Sequence, residues 1–164
     1  RGMPSASARL CAIVMTTKPS PITIMPRPIL AVSGSVLRDR LKPGGRAALQ
    51  VITVADENFD TYRNTIDFIQ RYIFPGGMLP SPSAFRAAVA AAGLRLERVD
   101  WFAADYALTL KLWRERFEDR WEAIRAQGFD ERFRRMWTYY LASCEACFRT
   151  GATDVGQFVI VRAT

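Results

Sequence analysis

Nine residues, Arg46 to Val54 (RAALQVITV), constrain what this chain can fold into more than any other stretch. The run is far short of the roughly 20 apolar residues needed to cross a bilayer. It is apolar nearly throughout, with Gln50 as its interruption, and it does not alternate, so it predicts a strand covered on both faces. The KPGG stretch before it, Lys42 to Gly45, sets where the strand begins. Pro43 blocks helix continuation and the paired glycines permit positive φ. VLRDRL, just upstream, reads as the last turn or two of a helix. A strand covered on both faces demands helices, and the remaining sequence supplies them.

SPSAFRAAVAAAGL predicts a short helix with Ser81 as N-cap, Pro82 at the first helical position and Gly93 just past its end. LRLERVDWF alternates as a second strand. Leu110, Trp113, Phe117, Trp121 and Ile124 then recur at spacings of three and four in a helix that Gly128 ends. Asp130 caps a second long helix, whose buried stripe is Phe133, Trp137, Tyr140, Leu141, Cys144 and Phe148, and which Gly151 stops. GQFVIVRAT is a terminal strand. From Val36 the order is helix, strand, helix, strand, two helices, strand, which predicts an α/β layered domain over 36–164.

Residues 1–35 differ. They hold five of the nine prolines, four basic residues and no acidic ones. They read as an irregular, poorly specified leader, in which ITIMPRPILAV offers at most an edge strand because of its prolines. LCAIVM is weakly apolar but lacks the flanks of a secretory signal.

The chain has no histidine among 164 residues. A Ser-His-Asp triad, a Cys-His dyad and a His-bearing zinc site are therefore excluded within it. Cys11, Cys144 and Cys147 are too few and too unevenly spaced for a disulfide framework, which predicts a reducing cytoplasmic setting. Cys144 and Cys147 stand on a helical stripe with no further ligand pair, so they read as packed thiols rather than a metal or redox site. A net charge of +7 attracts anions. The basic residues of the two long helices alternate with carboxylates, however, which predicts solvated faces with local ion pairs and no nucleic-acid interface.

Three features remain as candidates for chemistry. Gln50 is a lone polar residue in an apolar strand; it either points out of the sheet, satisfied by neighbouring backbone, or lies where the strand end opens into a site. Tyr106 begins a helix after a strand, and either supplies a hydroxyl or packs by its ring. The run DFIQRYIFPGGMLPS, Asp67 to Ser81, is an apolar loop closing on a Pro-Gly-Gly turn. It either walls a channel or tucks its aromatics into the core.

RLKPGGRAALQVITV, DFIQRYIFPGGMLPS, ADYALTLKLWRERFE, FDERFRRMWTYYLASCEACFR and DVGQFVIVR resemble consecutive C-terminal blocks of the cyclopropane-fatty-acyl-phospholipid synthases and mycolic acid cyclopropane synthases. The resemblance runs from about Val36 to Arg162. It implies the C-terminal half of a class I, Rossmann-like methyltransferase sheet, about three strands with covering helices. It also implies a reaction: methylene transfer from S-adenosylmethionine to the double bond of an unsaturated phospholipid or acyl chain, with bound bicarbonate as base.

Carried over by motif, Tyr106 matches the family's bicarbonate-binding tyrosine and Ile52 a position whose backbone contributes there. Gln50 matches a position often occupied by histidine. A glutamine amide still donates a hydrogen bond to an anion but does not titrate. Tyr72, Phe74, Gly76 and Gly77 are the implied substrate-binding residues, and aromatic faces suit a cationic intermediate.

No residue is assigned to cofactor binding and none to a metal. The glycine-rich turn and the acidic residue with which class I methyltransferases hold S-adenosylmethionine are missing from these 164 positions, as are the family's upstream bicarbonate ligands, a carboxylate and a cysteine. The expectation is therefore a fragment that is inactive alone, placed at most peripherally on the inner membrane surface and prone to oligomerise or aggregate through unpaired edges. A non-enzymatic basic module that binds a lipid surface or a partner is the competing expectation.

Overall fold

A computed structural model of the chain describes residues 28–164. The leader through Arg27, including Cys11, LCAIVM and the first part of ITIMPRPILAV, lies outside the described residues. Helix α1 spans Pro28–Arg40, strand β1 Arg46–Val54, α2 Asp56–Asn64, a π-helical turn Ile69–Ile73, and α3 Pro82–Ala91. Strand β2 covers Leu94–Trp101, α4 Ala103–Asp119, α5 Trp121–Arg125, α6 Glu131–Arg149 and β3 Thr153–Arg162.

The three strands form one sheet in the order β1-β3-β2, with β3 antiparallel to both neighbours. Side chains alternate across this sheet, which builds two cores. Leu49 and Val51 of β1, Leu94 and Leu96 of β2, and Phe158 and Ile160 of β3 pack with Phe85, Val89 and Ala92 of α3 and with Leu37 and Leu41 at the end of α1. On the opposite face, Ile52 and Val155 pack against Tyr106, Ala107 and Leu110 of α4 and Leu141 and Phe148 of α6. β3 is the strand enclosed on both faces: Val155, Phe158 and Ile160 retain at most 1% of their surface.

That arrangement corrects the reading of β1. Its C-terminal half is covered on both faces, whereas Arg46 and Ala48 are exposed, because α4 and α6 reach only as far as the Ile52–Val155 pair. Its flank is open as well. Val54 N–H turns outward to the Pro80 carbonyl at 3.0 Å, while Ala55 N–H turns inward to the Ala152 carbonyl at 3.0 Å. By the alternation of an antiparallel ladder, Arg46, Ala48, Gln50 and Ile52 point their backbone groups away from β3, to an edge that no strand of the described residues pairs with. The β2 edge is different: a bulge between Leu96 and Arg98 and the charges of Arg95, Glu97, Arg98 and Asp100 guard it.

The expected caps are present. Ser81 Oγ accepts the Ala84 N–H at 3.2 Å and Asp130 Oδ1 accepts the Phe133 N–H at 2.8 Å. Both Pro-Gly-Gly motifs make the same turn. Gly45 N–H returns to the Lys42 carbonyl at 2.8 Å and Gly77 N–H to the Phe74 carbonyl at 2.9 Å, with Gly44 and Gly76 in the left-handed region at φ 70° and 79°. Proline second and glycine third is the chemistry that a turn of this class requires.

Other elements differ from the sequence reading. VLRDRL is the end of helix α1, which begins at Pro28, inside the stretch read as an irregular leader; proline suits a first helical position, where its missing N–H costs nothing. The π-helical turn lies within the run read as loop, and helix α2 lies in a stretch for which the sequence predicts no element. The first long helix is two, broken at Arg120, whose φ of −100° takes it out of the helical range. The charged faces also pair across helices, through Arg134 to Glu118 and Arg114 to Glu145, because α4 and α6 lie side by side.

Candidate active site

The face of the sheet that meets α4 and α6 carries the candidate chemistry. Phe102 N–H donates to the Val155 carbonyl at 3.1 Å, tying the start of α4 to the central strand, and Tyr106 N–H returns to the Phe102 carbonyl at 3.1 Å. Tyr106 is thereby fixed in the first turns of α4, buried, with its ring 4.9 Å from that of Phe148 on α6. Ile52 packs on the same cluster and is the ladder partner of Val155. The structure therefore brings Tyr106 and Ile52 together. Gln50 lies on the same face of β1, half-buried opposite Gln157, which in turn faces Asp100 on β2. These three form a polar row across the sheet, beside the Tyr106 cluster rather than within it.

The Asp67 to Ser81 segment approaches this cluster from the side. The Phe74 ring meets Tyr140 of α6 edge-on at 5.9 Å. From Tyr140 the rings continue along the seam between the helices: Trp137 at 5.2 Å, then Phe133 at 5.6 Å from Trp137, then Phe117 at 6.2 Å from Phe133. Phe133 and Trp137 stack at 19° between their planes and the other pairs are edge-on or tilted, arrangements that aromatic rings prefer at these separations. Tyr72 is not part of this wall. It is 52% exposed, stacks obliquely on Phe68 at 5.4 Å, and carries Arg71 over its ring at 5.6 Å. Gly76 faces open space and Gly77 closes the turn, so the four implied substrate residues divide into one wall residue, one surface residue and two turn residues.

Sequence reasoning missed what holds this segment. Asp67 and Gln70 cap each other reciprocally, Gln70 N–H to Asp67 Oδ1 at 2.7 Å and Asp67 N–H to Gln70 Oε1 at 3.0 Å. The D-x-x-Q spacing was the available signal. Asp56 closes the far end by accepting from Ser83 N–H at 3.1 Å and Ser83 Oγ–H at 2.8 Å; the Ser81 hydroxyl first, and then these Ser83 bonds against the opposing effect of burial, hold its carboxyl below the usual range.

Cys144 packs on the Tyr106 cluster, and Cys147 is half-buried nearby; neither is in a disulfide. Burial, and then the Asp67 carboxylate, push the Cys147 thiol up, which leaves it a poor nucleophile. Among the described residues no group of three or more Cys, Asp or Glu could hold a metal ion. A shallow groove of about 560 Å³ between α3 and the outer edge of β2 shares no residue with the Tyr106 cluster.

The fold is that of the C-terminal half of a class I methyltransferase sheet, three strands with the central one antiparallel to both neighbours. The solved mycolic acid cyclopropane synthase CmaA1, in complex with SAH and CTAB, superposes with a TM-score of 0.71 and 30% identity over 80% of this chain and 49% of that one. The profile of mycolic acid cyclopropane synthetase matches residues 34–158. Tuberculostearic acid methyltransferase UfaA1 of Mycobacterium tuberculosis is 43% identical over 129 residues, 78% of this chain and 30% of that relative. The cyclopropane-fatty-acyl-phospholipid synthase of Escherichia coli K12 is 38% identical over 130 residues, 78% of this chain and 32% of that relative. The chain belongs to the mycolic acid cyclopropane synthetase family. It spans about a third of the length of these curated relatives and about half of the solved structure.

The family implies S-adenosylmethionine. The described glycines of positive φ, at 44, 76, 93, 128 and 151, stand singly in separate turns, none of which leads from a strand into a helix, the place where a glycine-rich nucleotide-binding turn sits. The described residues thus do not fit that cofactor by themselves.

Proposed function

We propose that this chain forms the acyl-chain-facing part of an enzyme that modifies the double bond of unsaturated acyl chains. The observation that carries the reading is the run of rings from Phe74 through Tyr140 and Trp137 to Phe133, which begins beside the buried Tyr106–Ile52 cluster. An apolar wall of that kind desolvates an acyl chain and presents ring faces to positive charge developing on it.

In this reading Tyr106 donates its hydroxyl proton in a hydrogen bond to a small anion such as bicarbonate, and the Ile52 backbone lines the same position. Gln50 contributes an amide donor where a titrating group would otherwise stand. It can hold an anion and cannot accept its proton. The residues described do not build a nucleoside pocket, so the chain alone binds acyl chains and does not turn over.

Two measurements test this. Fluorescence titration with cis-parinaric acid is expected to give saturable binding that Phe74→Ala weakens about tenfold; unchanged binding in that variant would remove the reading. Calorimetry with S-adenosylmethionine is expected to give no heat, and saturable heat would show that the pocket is complete.

One observation favours a second reading, contact with an anionic lipid surface. Leu108 and Leu112, one turn apart on α4, are 51% and 47% exposed beside Lys111, on a chain of net charge +7. Flotation with phosphatidylglycerol vesicles that is abolished by salt would support it. No helix among the described residues is long and apolar enough to cross a membrane.

A further inference from the structure

The Phe74 wall stands on a turn with little of its own to hold it. Gly76 has open space around it, and the turn's bond, Gly77 N–H to Phe74 O, is internal, so it fixes the shape of the turn but not its place. The π-helical turn before it ends at Ile73 and holds Phe74 on the upstream side through Phe74 N–H to the Ile69 carbonyl at 2.8 Å, and the next backbone bond to the sheet comes at Pro80, whose carbonyl accepts the Val54 N–H. Between those points the segment is anchored by polar side chains. Tyr62, half-buried on α2, accepts the Leu79 N–H on its phenol oxygen at 3.1 Å. Gln70 donates its Nε2 to the Gly77 carbonyl at 3.2 Å. Gln70 is itself held by the reciprocal cap with Asp67.

We infer that Tyr62 is a positioning residue for the Phe74 wall: with Gln70 it pins the Gly77 and Leu79 backbone on the downstream side of the Pro-Gly-Gly turn, and so holds the Phe74 ring against Tyr140. The inference rests on the acyl-binding reading for its function but not for its geometry. Burial pushes the Tyr62 phenol above its ordinary range, so it stays neutral across physiological pH and the clamp does not titrate there. Removing the hydroxyl leaves the part-buried Leu79 N–H without its acceptor, a cost borne by the segment and not by the sheet.

Tyr62→Phe deletes that one oxygen. Hydrogen exchange in the full chain is expected to speed at Leu79 and Gly77 by about tenfold, a factor set by one lost hydrogen bond, while the β1–β3 amides keep their protection. In cis-parinaric acid titrations Tyr62→Phe is expected to weaken binding about fivefold in the wild-type background and to have no effect in a Phe74→Ala background, because Tyr62 acts through Phe74. Equal losses in both backgrounds, or unchanged exchange at Leu79, would overturn the positioning role. If Phe74→Ala itself leaves binding unchanged, the acyl-binding reading fails instead, and the exchange measurement still decides whether Tyr62 holds the turn. Gln70→Ala, which keeps the phenol and removes the Gly77 contact, is expected to speed exchange at Gly77 by a similar factor; a silent Gln70→Ala would limit the clamp to Tyr62.

Discussion

Arg114 Nη2 donates to Glu145 Oε2 at 2.9 Å, joining α4 to α6 across their seam. The other oxygen of Glu145 accepts from Arg149 Nε at 2.9 Å, so a carboxylate 11% exposed is shared by two guanidinium groups. The Arg114 bond, followed in order of effect by desolvation opposing it and by the Arg149 bond, leaves the Glu145 carboxyl below the usual range.

A lowered folded-state pKa means stabilisation that is complete above the unfolded carboxylate range and lost as pH falls through the folded value. Glu118, held low by Thr138 and Arg134, acts in the same direction. The helix pair is therefore expected to loosen in acid before the sheet does, which acid titration followed by tryptophan fluorescence measures. Glu145→Gln should cost roughly 1–3 kcal/mol at neutral pH and flatten this acid dependence; an unaltered acid profile would exclude the mechanism.

Gly156 sits where the sheet is tightest. A Cβ built there would lie 2.9 Å from Phe158 and from Val99 and 3.0 Å from Trp101. Trp101 closes over this gap to meet Phe158 edge-on at 5.3 Å. Gly156→Ala is expected to cost about 1–3 kcal/mol by overpacking, read from urea unfolding. A shift of the midpoint by less than the error would show that Trp101 yields freely.

Arg162, at the end of β3, caps a helix far from it in sequence: Nη1 donates to the Arg38 carbonyl at 3.0 Å and to the Leu41 carbonyl at 2.7 Å. These bonds satisfy carbonyls that a helix end otherwise leaves open. Arg162→Met keeps the stem and removes the donors. It should cost about 1–2 kcal/mol and speed amide exchange in α1 more than in α6; equal effects on both helices would point to general destabilisation.

The open edge of β1 makes self-association the expected behaviour at high concentration. Ala48→Pro removes an outward N–H without touching the ladder to β3. Light scattering should then show a smaller mean mass than for wild type. An unchanged mass would place any association elsewhere.

How much of this was legible beforehand follows from the range of the forces. Ser81 and Asp130 act on amides three residues away, and so their caps could be read from spacing. The stripe on α6 was likewise visible as a period. What was not visible depended on distant partners. Gln50 looked like a residue of a doubly covered strand, yet where α4 and α6 stop decides its surroundings, and nothing within RAALQVITV encodes that. Tyr106 and Ile52 could be matched to a family site by motif, while their shared cluster needs β3, more than 40 residues after Tyr106, to lie between the elements. The Asp67–Gln70 cap is local and its D-x-x-Q spacing is legible, but it opens a single π-helical turn rather than a periodic helix, so no helical stripe follows it in the sequence.

The central strand is the last in sequence. Among the described residues β1 and β2 are not ladder partners of each other, and each pairs with β3 alone. Among the described residues, β1 and β2 therefore have no ladder partner until β3 is in place, and long-range pairing of this kind is slow to form. Removing the final ten residues of β3 would therefore not trim the domain. It would take away the one strand through which β1 and β2 are joined among the described residues.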